Sequence, residues 1–531
     1  VLQIMPKDGS YDGSLNLQNS ELFRKYYENL TDYEIKITSI TWEKFNSYFK
    51  NAGFKYDMSK EIGADNPVNE DKIASSANLS GYNMIIVGFG DTYGSVDLSN
   101  QYGAVDYLKY YIAQGKSILF THDVTSMYNL KKDRKSVFGY TANIQLRDVM
   151  GMNRYKAVNN QLSAREREQV IAYQNSQANE DGESIYDTIS STALHGFTYY
   201  ALKRLGWISG NQTVNSQKNY RMPYQYMITN TEGNAVCNVN YATRTTGFND
   251  NNDLTTRASK LNEGQITQYP YKISEDLQIS QTHGQWYQLN VEDPEVTVWY
   301  TLSDDHYCAG WDEKDQYGRG TALTYGVSPH DASNNYYIYS KGNVFYSGVG
   351  HSAITSDGQG DMEAKLFVNT MIAASRASFE PPVVEITNAD AYLSGVQNYT
   401  LEIMREYDNG VTDASMENNL VAETFTDSDT VTITFTTVDF NPVSTRLEGW
   451  IYLADGDYID EIVRLSDGAI LHADDTHKFS GLTNGTEYSL TYKKTELDSH
   501  RLLKFELKND RINTKSTTTL NMTVQPLFEL D

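Results

Sequence analysis

The stretch Gly115 to Tyr128, GKSILFTHDVTSMY, constrains this chain more than any other. A short apolar run, Lys116 to Phe120, stops abruptly at Thr121, His122 and Asp123. Before it, Val105, Leu108 and Ile112 recur at helical spacing within Ser99 to Gln114; Ser99 is placed to cap the start and Gly115 lies just past the end. Helix, tight turn, buried strand and polar tip make half of a doubly wound α/β unit. In such sheets, ligands and catalytic groups gather beyond the carboxyl ends of the strands. His122 and Asp123 are therefore the leading candidates for function.

Other segments extend the same unit. Val1 to Pro6 reads as a strand, and Ser20 opens a helix with the stripe Leu22, Phe23, Tyr26, Tyr27 and Leu30. Tyr33 to Ile40 alternates as a strand, and Thr41 caps a helix carrying Trp42, Phe45 and Phe49. Tyr82 to Phe89 is continuously apolar, as a parallel strand buried on both faces should be. The glycines that follow lack the GxGxxG spacing of a nucleotide loop and read as a sharp turn. From about 150 to 280 the pattern becomes a less regular insertion, Asn- and Tyr-rich from about Gly206, in which His195 reads as a packing residue and Asn249 to Asp253 as a solvated loop lacking the Gly and Glu of a calcium site. Regular elements return with Leu277 to Leu289, Val296 to Leu302, a hairpin of Tyr336 to Tyr339 and Asn343 to Ser347, and a helix from Asp361 to Ser375. The reading is a doubly wound parallel sheet over 1–379.

Glu380-Pro381-Pro382 breaks that helix and marks a boundary. Short alternating strands dominate beyond it, which predicts an all-β sandwich over 383–531. There, Phe479 to Tyr488 is similar to the tyrosine corner of immunoglobulin-like and fibronectin-type domains, with Tyr488 as the corner residue.

A length of 531 residues exceeds one ordinary core, since single cores stop growing at roughly 250 to 300 residues. The net charge of -25 repels a phosphate backbone, which argues against a nucleic-acid partner. No apolar run approaches the ~20 residues of a membrane span. Only two cysteines, Cys237 and Cys308, accompany 41 tyrosines; the pair reads either as one disulfide or as two buried thiols. A Tyr- and Asn-rich, acidic, Cys-poor composition is associated with exported proteins of Gram-positive bacteria, so the expected location is extracellular or at the cell surface. Val1 is not an initiator Met and opens directly on a strand, which predicts a piece of a longer surface protein.

Three segments together resemble the class I glutamine amidotransferase-like fold in its ThuA-like branch: GKSILFTHDVTS, PEVTVWYTL and KGNVFYSGVGHS with the helix after it. His122 and His351 fall on the matching histidine positions, and the resemblance spans the core of 1–376 without most of 150–280. It implies a flavodoxin-like sheet. The segments around QTHGQWYQL and EAKLFVNTMIAAS further resemble an uncharacterised family of bacterial surface proteins, a domain of unknown function. One departure matters. Glutaminases of this fold attack the amide with a thiolate at a strand-to-helix elbow, whereas the tip here is Thr121-His122, which makes Cys-dependent glutaminase activity an expected absence.

His122, His283, His306 and His351 sit at or near strand ends, with Asp123, Asp304 and Asp305 beside two of them. No pair has metal-ligand spacing, and the pattern names no cofactor. Each histidine equally reads as a group that fixes a loop through a backbone carbonyl. Two functional classes stand. One is a surface module whose degenerate amidotransferase-like domain binds a ligand, a cell-wall glycan or other carbohydrate included, or serves as a scaffold; His283, Trp286, Tyr346 and Asp304 are its ligand-binding candidates. The other is a hydrolase or isomerase acting on carbohydrate, with His122, Asp123 and His351 as catalytic groups and aromatic rings stacking on the sugar.

Overall fold

The computed structural model describes residues 1–6, 15–31, 33–60, 63–88, 102–122, 124, 145–153, 254–285, 287, 289–291, 293–303, 332–350, 354, 359–379, 381–387, 398–405, 412–425, 428–439, 447–453, 456–493, 502–509 and 515–525. The chain divides into two compact units, Val1–Ala374 and Ser375–Asp531.

Among the described residues the first unit has nine strands: β1 (Leu2–Met5), β2 (Thr38–Thr41), β3 (Met84–Val87), β4 (Ser117–Thr121), β5 (Leu254–Lys260), β6 (Asp276–His283), β7 (Val296–Ser303), β8 (Tyr336–Lys341) and β9 (Val344–Ser347). They form one sheet in the order β2-β1-β3-β4-β9-β8-β7-β5-β6. Neighbours from β2 to β9 are parallel, and every pairing from β9 outward to β6 is antiparallel. The sheet is therefore mixed, where the sequence led us to expect a parallel one. The reason is visible at Gly342, whose φ of 57° lets β8 turn directly into β9, and a tight hairpin can join only antiparallel strands. Residues 254–260, which the sequence reading assigned to the insertion, supply one strand of this sheet, and 276–283, where regular elements were expected to return, supply another.

Among the described residues, α-helices α1 (Glu21–Tyr27), α2 (Trp42–Ser47), α3 (Ala104–Ala113), α4 (Gln265–Gln268) and α5 (Ala332–Asn335) lie in this unit, and α6 (Gln359–Phe379) begins in it. The Thr41 hydroxyl accepts from the Lys44 amide at 3.1 Å and so caps α2. After α3, Gly115 has φ 76°; its amide donates to Ile112 O and the Lys116 amide to Tyr111 O, which is a Schellman ending. That turn delivers the chain into β4. The start of α3 differs from expectation: it follows Gly103, while Ser99 lies outside the described residues.

Strand residues alternate between two covered faces. Ile4, Ile85, Val87, Ile118, Phe120, Val344 and Tyr346 share one core with Trp42, Phe45 and Phe49 of α2 and Val105, Leu108 and Ile112 of α3. On the other side, α1 meets α6 through Phe23 and Phe367, ring centroids 5.3 Å apart, and α6 reaches the sheet through Glu363 and the Tyr337 hydroxyl. The expected strand Leu277 to Leu289 ends early. Its partner β5 begins at Leu254, opposite His283, and that pair closes the ladder among the described residues. The chain then leaves the sheet edge, and Tyr287, Leu289 and Val291 pack on the core that holds Tyr336, Tyr339 and Tyr346.

The second unit contains β10 (Val383–Ile386), β11 (Asn398–Arg405), β12 (Thr412–Phe425), β13 (Thr430–Val438), β14 (Leu447–Leu453), β15 (Glu461–Arg464), β16 (Ala469–His472), β17 (Phe479–Leu482), β18 (Glu487–Lys493), β19 (Leu502–Asn509) and β20 (Lys515–Gln525). They make a five-stranded sheet, β10-β13-β18-β15-β16, and a six-stranded sheet, β11-β12-β20-β19-β14-β17. Pairing is antiparallel except between β12 and β20, which run parallel. Residues from both sheets share one core, with Phe435 of β13 and Phe505 of β19 at 5.1 Å. The Tyr488 hydroxyl accepts from the Thr483 amide at 2.9 Å, tying its own strand to the turn upstream. Tyr488→Phe leaves that amide without its partner while keeping the buried ring. Chemical denaturation should show this unit weakened by about 1 to 2 kcal/mol; no loss would remove the hydrogen bond from the account. Among the described residues, no helix is long and apolar enough to cross a membrane.

Candidate functional site

β4 carries the site. Ile118 and Phe120 face the α2 and α3 core, so alternation directs Thr121 to the opposite face and returns His122 to the side of Phe120 and Tyr346. Thr121 is packed closely: a Cβ added at Gly88, just past β3, would lie 1.4 Å from its Oγ1. Only glycine fits there, and the tips of β3 and β4 stay together.

His122 is 2% exposed and His283, the last residue of β6, is 8% exposed. Their rings meet edge to face with centroids 4.9 Å apart and an interplanar angle of 65°. His283 Nδ1 lies 2.8 Å from its neighbour's carbonyl, Gly284 O. Two residues on, the Gln285 amide acts as a bracket. Its Nε2 donates to Tyr336 O at 2.5 Å, and its Oε1 accepts from the Tyr346 hydroxyl at 3.0 Å. Tyr336, Tyr339 and Tyr346 form a tight cluster below, with Tyr339 stacked on Tyr346 at 5.3 Å and the Tyr339 hydroxyl donating to Met150 O. Burial pushes the Tyr336 phenol well above its usual range, so it stays neutral.

On the opposite face, the Glu363 carboxyl is buried. One oxygen accepts from the Ser280 amide and hydroxyl, each at 2.9 Å, and the other from the Tyr337 hydroxyl at 2.8 Å. Desolvation raises its pKa, against the lowering effect of those donors and of the Gly350 amide. The same burial, reinforced by Glu363, holds the Tyr337 phenol well above its usual range.

Of the residues singled out from sequence, the structure joins His122, His283 and Tyr346 around Gln285. Asp123, Trp286, Asp304 and His351 lie outside the described residues, as do His306, Cys237 and Cys308. Among the described residues no group of three or more His, Cys, Asp or Glu is placed to hold a metal ion. Gln285, Ser280 and Glu363 escaped the sequence reading. Glu363 had a signal: it stands three and four residues before Leu366 and Phe367, inside the buried stripe of α6. An acid at such a position must find donors on the sheet it faces.

The arrangement offers two adjoining imidazoles, an amide and a phenol hydroxyl, all neutral hydrogen-bonding groups when the imidazoles are unprotonated. No protein-family model matches the chain, and no curated protein matches it in sequence.

Proposed function

We propose that this chain is an extracellular or cell-surface module that binds a neutral glycan at the His122–His283 pair. In this reading the first unit is an amidotransferase-like, ThuA-like domain of flavodoxin-like topology, and the second an immunoglobulin- or fibronectin-like sandwich that spaces it from the rest of a surface protein. The order β2-β1-β3-β4-β9 among the parallel strands supports the flavodoxin-like reading, because it is the doubly wound order with ligands gathered at the strand tips. The two sheets around one core and the Tyr488 hydrogen bond support the sandwich.

The observation that carries the function is the tip of β4 itself. Where an amidotransferase would present a thiol, this chain has Thr121 pressed against Gly88 and a buried imidazole packed on a second one. Such a tip supplies hydrogen-bonding groups in place of the thiolate on which that glutaminase chemistry depends. A net charge of -25 favours a neutral ligand over a polyanionic one.

The test uses an N-acetylglucosamine tetrasaccharide as the cell-wall glycan probe. His122→Gln, which retains bulk and polarity, should weaken binding at least ten-fold, about 1.4 kcal/mol, while the variant remains folded. Equal affinity in both proteins would contradict the reading. Accumulation of cleaved or isomerised sugar, lost in the variant, would establish the second reading, a carbohydrate-active hydrolase or isomerase with imidazoles as acid and base.

A further inference from the structure

We propose that Glu363 is the positioning residue of the histidine pair, holding a bulge in β6 that aims His283 at His122. The bulge is written in the register. Thr255 stands opposite Thr282 and Arg257 opposite Gln278, so two steps along β5 correspond to four along β6, and Ile279 to Gln281 contain two extra residues. Extra residues in one strand bend it and re-aim the side chains beyond. They also remove backbone groups from the ladder, which must find partners elsewhere.

Glu363 is that partner. The Ser280 amide and hydroxyl both donate to its Oε2. Its Oε1 accepts from Tyr337 of β8, and the Gly350 amide, just beyond β9, donates to the same carboxyl. One carboxyl therefore ties together the bulge in β6, the start of β8 and the turn after β9. His283 follows Ser280 by three residues, on the far side of the bulge, and this is where its ring meets His122. The first turn of α6 thus reaches across the sheet to fix a contact on the opposite face. Thr255 reinforces the bulge from the β5 side: its hydroxyl donates to Ser303 O and accepts from the Arg257 amide.

The inference rests on the reading of the histidine pair as the site, yet its test involves no ligand. Failure of glycan binding would leave it standing, and its own failure would leave the glycan reading standing. The measurement is the nuclear Overhauser cross-peak between His122 and His283 ring protons in the full chain. Glu363→Ala should abolish it, and Glu363→Gln, which keeps an acceptor for Ser280, should restore it. Leu366→Ala, a cavity on the same buried helix face, serves as a control for destabilisation alone and should retain the cross-peak. Should Glu363→Ala fail to fold, the double variant Ser280→Ala with Tyr337→Phe removes the two hydroxyl donors of the four, leaving the Ser280 and Gly350 amides, and should weaken the cross-peak at least two-fold. A cross-peak that persists in Glu363→Ala, or unchanged in the double variant, overturns the proposal. So does its equal loss in Leu366→Ala.

Discussion

Glu363→Ala is expected to lower the stability of the first unit by about 3 to 5 kcal/mol, because it strands several buried donors at once. The Ser280 amide and hydroxyl and the Tyr337 hydroxyl all lose their acceptor. The wild-type residue should also leave a mark on the pH dependence. Its folded pKa is raised, chiefly by burial, so its protonated form is favoured in the folded state. A raised pKa means that the stabilisation is complete below the unfolded pKa and is lost as pH rises through the folded value. Asp361, two residues away, has the opposite sign: the Lys25 ammonium lowers its pKa, so its contribution is lost on acidification. Comparing wild type with Glu363→Gln isolates the first effect. Between acid and neutral pH, the melting temperature of the wild type should fall relative to that of Glu363→Gln. Parallel curves would mean that Glu363 does not titrate differently in the folded state.

Gly103→Ala is the second large effect. Gly103 has φ 94°, and a Cβ there would lie 1.8 Å from Phe54 O, a backbone atom held by its own amide's bond to Tyr102 O. Conformational strain and overlap together should cost about 2 to 5 kcal/mol. Gly115→Ala is the internal comparison. Its φ of 76° is also left-handed, but nothing lies within 4 Å of the added methyl, so only about 1 to 2 kcal/mol is expected. Equal losses at the two positions, read by chemical denaturation, would show that the approach of Phe54 does not matter.

These positions show what could be read from the chain. Gly115 ends α3 and Thr41 caps α2 because both roles depend on a single residue's backbone or hydroxyl, which is local information. The same holds for the β8–β9 hairpin at Gly342 and for the Tyr488 hydroxyl at the turn above β18. The direction of β5, β6 and β7 was hidden, since an apolar strand such as VTVWYTL looks the same whichever way its neighbours run. The bulge at Ile279 to Gln281 exists only as a mismatch with β5, so β6 alone gives no sign of it. For the site, His122 and His283 were each legible as strand-end residues. Their contact was not: β4 and β6 are far apart in the strand order, and the meeting depends on a bend and on an acid in a helix about 80 residues later.

The most direct measurement of the central claim is a nuclear magnetic resonance titration of the full chain with the N-acetylglucosamine tetrasaccharide, following the ring signals of its nine histidines. Spectra of His122→Gln and His283→Gln assign the pair. A saturable shift of those two ring signals, with the exposed His472 and His477 unmoved, is the result predicted for a glycan site at the tip of β4. Ring signals of His122 and His283 that stay fixed while His122→Gln destabilises the fold by about 1 to 3 kcal/mol would make the pair a buried structural contact and contradict the claim.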